Sequence, residues 1–267
     1  HGNKYLYIND ERGTSVETNI SMNFDVMRRE HQNMIYNNVD PKNYLGPYQT
    51  VPIGGVFKKI IADNNLSKTD IRGIYDYVFE GMHYGKPKSV NDKYYKDPWL
   101  SPDEKYGMKQ VGRDNVVNLY QKSKKEGGNY TFGNGNAIYA CDIGVGNCTD
   151  YHSYFMSLCR TLGISARFHI GFSIPNKDGK KEGKIDGYHC WSDYYIKGDG
   201  WIPVDISEAD KDPTKEDYFF GTLNKNRIEF TVGRDLNLKN RLAIQNFFVY
   251  PIVEGTNYTK SFSYKNL

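Results

Sequence analysis

Gly146-Asn-Cys-Thr-Asp-Tyr-His-Ser-Tyr-Phe-Met-Ser-Leu-Cys-Arg-Thr-Leu-Gly163 is the most informative stretch of this 267-residue chain. Tyr151, Phe155, Leu158, Cys159 and Leu162 recur at three- and four-residue steps and Gly163 supplies a stop, so the spacing predicts a helix opening at Cys148. A cysteine there is chemically distinctive. Unpaired backbone N–H groups and the positive end of the helix dipole favour thiolate over thiol, and the same N–H groups can receive the oxyanion of a tetrahedral intermediate. Gly144 and Gly146 are expected to let a substrate backbone approach. Asp150 is expected to support the helix start rather than the chemistry.

A thiolate nucleophile needs a proton carrier, and the chain has six histidines. His1, His31 and His83 lie in segments without other chemical signatures, and His169 sits in a strand-like run between Phe168 and Ile170. His152, four residues beyond Cys148 on the same helix face, can lean back toward the thiol. His189, in the run Tyr-His-Cys-Trp, is favoured over it by spacing, because Asp205 in Trp-Ile-Pro-Val-Asp-Ile is placed to orient an imidazole. In an antiparallel hairpin the two side chains share a face only if paired residue numbers sum to an even value. A sum of about 396, with Trp191 opposite Asp205, predicts an odd-numbered loop or a bulge near Gly198.

Outward from this centre, Val56 to Ile61 and Thr69 to Met82 read as helices, the second capped by Thr69. Residues 84 to 110 read as a long loop and Asp114 to Lys125 as a short helix. Strands are expected at 166 to 174, 188 to 196, 201 to 206, 227 to 235 and 247 to 253, with further strand character around Phe219 to Gly221. Helices before an antiparallel sheet give an α+β class. Lys4 to Ile8 and Ser15 to Phe24 alternate like strands, which sets residues 1–55 apart as a β-rich extension of a domain at 56–267.

Composition narrows the function classes. Thirty-five basic against 32 acidic residues is too even a balance to suggest nucleic acid or a membrane surface, and no apolar run is long enough to span a bilayer. The lysine- and glycine-rich run 176–187 is a solvated loop leading into His189 and is expected to border the cleft. Four cysteines fit neither a disulfide scaffold nor paired zinc spacing. Cys159 is expected in the core, Cys190 on the sheet face opposite His189, and Cys141 as a candidate for pairing if the protein is exported. The chain opens His-Gly, compatible with a trimmed form whose export signal has been removed, so an extracytoplasmic location is one expectation.

Gly-Asn-Cys-Thr-Asp-Tyr-His through Ala-Arg-Phe168, then Tyr-His-Cys-Trp-Ser-Asp-Tyr-Tyr195, then Gly-Trp-Ile-Pro-Val-Asp-Ile-Ser-Glu-Ala209, resembles the transglutaminase-like superfamily of papain-type cysteine enzymes, in its bacterial branch. The resemblance spans about residues 69 to 250 and includes Trp191 and Trp201. It implies a papain-like, transglutaminase-core fold with Cys148 as nucleophile, His189 as general base and acid, and Asp205 as orienting carboxylate. His152 then falls outside the triad. The resemblance implies no cofactor and no metal, and no acidic loop suggests calcium sites.

The implied activity is acyl transfer on peptide or side-chain amides of a protein or peptide substrate through a thioester. Hydrolysis is expected, because aminolysis needs a second-substrate site that the sequence does not display. The alternatives are a crosslinking transglutaminase, a catalytically silent binding module, and a zinc site built on Cys148 and His152.

Overall fold

The computed structural model describes residues 2–10, 13, 17–85, 128–175, 181–239 and 241–266. The expected loop beyond Gly85, the helix at 114–125 and residues 176–180 of the lysine-rich run lie outside them.

In chain order the elements are α1 (Val56–Asp63), α2 (Ile71–Gly81), β1 (His83–Tyr84), α3 (Ala137–Ile143), β2 (Val145–Gly146) and α4 (Cys148–Thr161). Then follow β3 (Ala166–Ser173), β4 (Glu182–Lys184), β5 (His189–Ile196), β6 (Gly200–Val204), α5 (Ile206–Lys211), α6 (Glu216–Phe219), β7 (Arg227–Val232) and β8 (Ser263–Lys265). The central sheet is antiparallel in the order β6-β5-β3-β7, and α4 packs across it. On its other side α4 meets α1, α2 and α3. This is the expected α+β arrangement, a helix carrying Cys148 at its start against a sheet that leads to His189 and Asp205.

Every residue of α4 from Cys148 to Arg160 is buried, so the apolar stripe read from sequence understates how enclosed this helix is. Tyr151, Phe155 and Leu158 join Phe57, Ile74, Val78, Phe168 and Ile170 in one core. Burying each such side chain contributes about 1.5–3 kcal/mol. The polar groups of α4 are satisfied locally: Arg160 donates to the carbonyls of Gly46 and Ala166, and Ser153 receives the guanidinium of buried Arg234 at 2.8 Å.

The β5–β6 hairpin pairs Ser192 with Val204 and Ile196 with Gly200, the even register that sequence parity requires. The turn is Lys197–Asp199, an odd loop, with Gly198 at φ 102°. Gly200, at φ 91°, lies against the backbone of Met34, whose carbonyl oxygen would be 2.4 Å from an added Cβ. Only glycine fits there.

Several expectations are corrected. Asp70, not Thr69, caps α2 by accepting the Gly73 N–H at 2.9 Å, while the Thr69 hydroxyl pairs with Ser67. Phe219 ends a helical turn, α6, rather than lying in a strand, and residues 247–253 pack as irregular chain beside the sheet. Part of the lysine-rich run, Glu182–Lys184, is a strand paired with Ser263–Lys265.

Among the described residues, 4–8 and 17–24 form no strand. Their alternation is exposed and lacks a pairing partner, and a strand without a ladder has nothing to offset its ordering entropy. Residues 31–51 instead lie along the sheet and core through single bridges, His31 to Leu223, Met34 to Trp201 and Tyr48 to Val51.

Candidate active site

Asn147 caps α4, accepting the Thr149 N–H at 3.0 Å, and Asp150 reaches back to the Asn147 N–H at 3.0 Å to complete a capping box. The Asp150 carboxylate also receives the N–H groups of Gly133 and Gly135, each at 3.0 Å, so it ties the chain before the helix to its first turn. Burial pushes its pKa up to about 7 against those bonds. The nearby glycines answer to this packing rather than to substrate. An added Cβ on Gly146 would sit 2.6 Å from that of Asp150, and Gly144 closes α3 at φ 66°.

Cys148 is 2% exposed at the first position of the helix. The Cys190 thiol and the His189 imidazole are near enough to its sulfur to govern its ionisation. The Cys190 contact first, then His189 acting against burial, holds the Cys148 thiol well below the ordinary cysteine value. Cys190 is pushed well above its own ordinary value by burial and by donating toward Cys148.

His189 Nε2 lies 2.7 Å from Asp205 Oδ2. That bond leaves Nδ1 without a carboxylate partner among the described residues. Burial opposes a charged imidazole, but Asp205 overcomes it and raises the His189 pKa to about 9. Asp205 is fully buried at the N-terminus of α5, where Oδ1 accepts the Ser207 hydroxyl at 3.0 Å and the Glu208 N–H at 3.2 Å. Burial works against its ionisation, yet His189 and Arg227 hold the carboxyl far below the usual range. The structure thus brings Cys148, His189 and Asp205 together.

His152 is held elsewhere. Its Nδ1 donates to the Cys148 carbonyl at 2.7 Å, so its Nε2 is the acceptor for the Ile206 N–H at 3.2 Å. Burial lowers its pKa, in keeping with a neutral ring. Both nitrogens serve the backbone, which argues against the expected zinc alternative using Cys148 and His152 as a ligand pair.

Arg227 and Cys190 are the residues that sequence reasoning missed. Arg227 donates to Asp205 Oδ2 through Nε at 3.3 Å and Nη2 at 3.0 Å, and to Ser173 Oγ at 2.6 Å. Its only sequence signal was a basic residue opening a strand that also carries Glu229. Cys190 does occupy the face opposite His189, as alternation required, but that face is the one α4 covers, so its sulfur meets Cys148 and lies 3.8 Å from His152 Nδ1. All four cysteines are free, Cys141 included.

Residues 107–206 match the family model of the transglutaminase-like superfamily. A Haemophilus influenzae protein of unassigned function is 32% identical over 154 residues, which is 46% of this chain and 42% of that protein; the match therefore spans less than half of the relative's length. Two solved structures are also similar. One is a candidate cysteine protease from Cytophaga hutchinsonii, with TM-score 0.40 and 13% identity, covering 88% of this chain and 66% of that one. The other is the periplasmic domain of TgpA from Pseudomonas aeruginosa, with TM-score 0.34 and 15% identity, covering 68% of this chain and 52% of that one. The stretch similar to the transglutaminase-like superfamily, residues 107–206, takes in Cys148, His189 and Asp205.

Proposed function

We propose that the protein is a cysteine-dependent acyl-transfer enzyme that cleaves peptide or side-chain amide bonds through a thioester. The observation that carries this reading is the 2.7 Å bond from His189 Nε2 to Asp205, beside a buried cysteine at a helix start whose thiolate His189 favours. The Cys148 thiolate attacks the amide carbonyl, forming a C–S bond while its electron pair moves to oxygen. Protonated His189 gives its proton to the leaving nitrogen as the C–N bond breaks. His189, now neutral, takes a proton from water as water attacks the thioester, and the acid leaves as the C–S bond breaks. The Cys148 N–H, which has no acceptor among the described residues at the first position of α4, supports the oxyanion in both steps.

Water is the acceptor in this reading, which makes the enzyme a peptidase or amidase. A lysine amine in its place would give a crosslinked product from the same thioester. Iodoacetamide labelling across pH tests the nucleophile: wild-type Cys148 reacts well below the pH at which an ordinary thiol does, and His189→Ala loses that advantage. Equal reactivity with an ordinary thiol overturns the reading. Mass spectrometry of glutamine-containing peptides with and without a primary amine separates hydrolysis from transamidation.

A further inference from the structure

The sheet face away from α4 carries a second polar cluster, unrelated to the thiol. Arg167 and Asp193 lie opposite each other on β3 and β5 and form an ion pair, with Nε to Oδ1 at 3.0 Å. His169 bridges two carboxylates, Nδ1 to Glu229 at 2.6 Å and Nε2 to Asp193 at 3.0 Å. Burial opposes its charge, but those carboxylates raise its pKa to about 9, so the ring is a cation at neutral pH. Residues 28–36 roof this layer, clamped by the reciprocal backbone bonds of Met34 with Trp201 and of His31 with Leu223.

Beneath that roof is a cavity of about 100 Å³, lined by Arg28, His31, His169, Trp191, Trp201 and Glu229 among others. One water needs only about 10–15 Å³ on this measure, so the space takes a group of several heavy atoms. Arg28 Nε and Trp201 Nε1 are buried with no hydrogen-bond acceptor among the described residues, and His169 Nε2 has only its ion-pair contact with Asp193. Trp201 is itself 2% exposed and His169 4%. Arginine and indole nitrogens can only donate, so what satisfies them must accept. An apolar occupant would leave them unpaired, a loss of about 1–3 kcal/mol for each group.

Charge narrows the occupant further. Asp193 is matched by Arg167 and His169, and Glu229 by His169, whereas Arg28 has no carboxylate partner among the described residues. Arg28, Arg167 and His169 against Asp193 and Glu229 leave one positive charge uncompensated. His31 adds none, since burial and Arg28 hold its pKa below the ordinary value.

We infer that this cavity is a binding site for a single carboxylate group, received by Arg28 Nε and Trp201 Nε1 between the sheet and residues 28–36. The carboxylate comes from a small free acid or from a peptide C-terminus; both present the same acceptor pair and charge. The site is one aromatic ring from the candidate active site: Trp191 stacks on His169 at 5.8 Å and on His189 at 6.4 Å. The inference does not depend on the proposed activity.

The test is thermal unfolding and calorimetric titration of the full chain with sodium acetate against sodium chloride at constant ionic strength, and with a short peptide against its C-terminal amide. Acetate, the free-acid peptide, or both, are expected to bind saturably and raise the midpoint where chloride does not. Which of them binds identifies the source. Trp201→Phe, which removes the N–H and keeps a ring, and Arg28→Gln are each expected to weaken that binding about tenfold while circular dichroism stays unchanged. Arg28 lies on the partly exposed covering segment, so its variant carries the test if Trp201→Phe does not fold. Midpoints that respond equally to acetate, peptide and chloride, or variants that bind as the wild type does, overturn the inference.

Discussion

Arg227 and His189 converge on one oxygen of Asp205, at 3.0 Å from Nη2 and 2.7 Å from Nε2. The carboxylate therefore has two cationic partners, one fixed in charge and one that titrates. Arg227→Met removes the fixed one and leaves a buried carboxylate with half its compensation. We expect a loss of about 3–5 kcal/mol in urea unfolding. We also expect His189 to hold its proton to higher pH, because Arg227 acts to lower the His189 pKa. An alkaline limb of Cys148 labelling that stays in place would contradict this.

The pair of His189, with pKa about 9, and Cys148, held well below the ordinary thiol value, sets a window for the thiolate–imidazolium form. It opens on the acid side as Cys148 deprotonates and closes as His189 loses its proton near pH 9. A profile of single-turnover acylation against pH should be a bell with its alkaline limb near that value.

Cys190 sharpens the acid limb. Its S–H is the first of the influences that hold Cys148 low. Cys190→Ala should raise the apparent pKa of Cys148 and slow alkylation severalfold at pH 6, and Cys190→Ser, which keeps a donor, should restore most of it. Identical rates in all three proteins would remove Cys190 from this role.

His152→Ala separates support from chemistry. It removes the side-chain donor to the Cys148 carbonyl and leaves the Ile206 N–H without a buried partner, for a loss of about 1–3 kcal/mol in urea unfolding. The depressed Cys148 pKa should survive in the folded variant, whereas His189→Ala should return it toward the ordinary thiol range. The reverse outcome would make His152 the base.

On the far face of the sheet, His169 titrates between its carboxylates. Its folded pKa of about 9 lies above the ordinary 6.5, so its contribution is complete below pH 6.5 and is lost as pH rises through about 9. The magnitude is on the order of 3 kcal/mol. Calorimetric midpoints of the wild type should fall across that window, and His169→Gln should flatten the decline.

Much of this architecture was legible locally. The period of Tyr151, Phe155 and Leu158 placed α4, and the parity of His189 and Asp205 set the hairpin register, because both depend on neighbours in sequence. What escaped depends on distance. Arg227 reaches Asp205 from β7, the other edge of the sheet, and Cys190 gains its meaning only because α4 covers its face. The alternation of residues 4–8 looked like a strand, but whether a strand forms is decided by a partner that no local pattern reveals. Helix α3 was missed because the seven residues Ala137–Ile143 are too few to show a period, although Asn136, accepting the Ile138 N–H at 2.9 Å, was its available signal.

The Met34–Trp201 clamp also bears on how the chain is made. Asn33 donates to the Asp199 carbonyl across a separation of 166 residues, and Met34 closes on the adjoining strand. At ordinary rates of synthesis, roughly ten to thirty seconds pass between emergence of the first partner and the second. Throughout that interval Ile35 and Tyr36 have no complete sheet to lie on, so the segment that roofs the carboxylate cavity must wait for strands that are made after it.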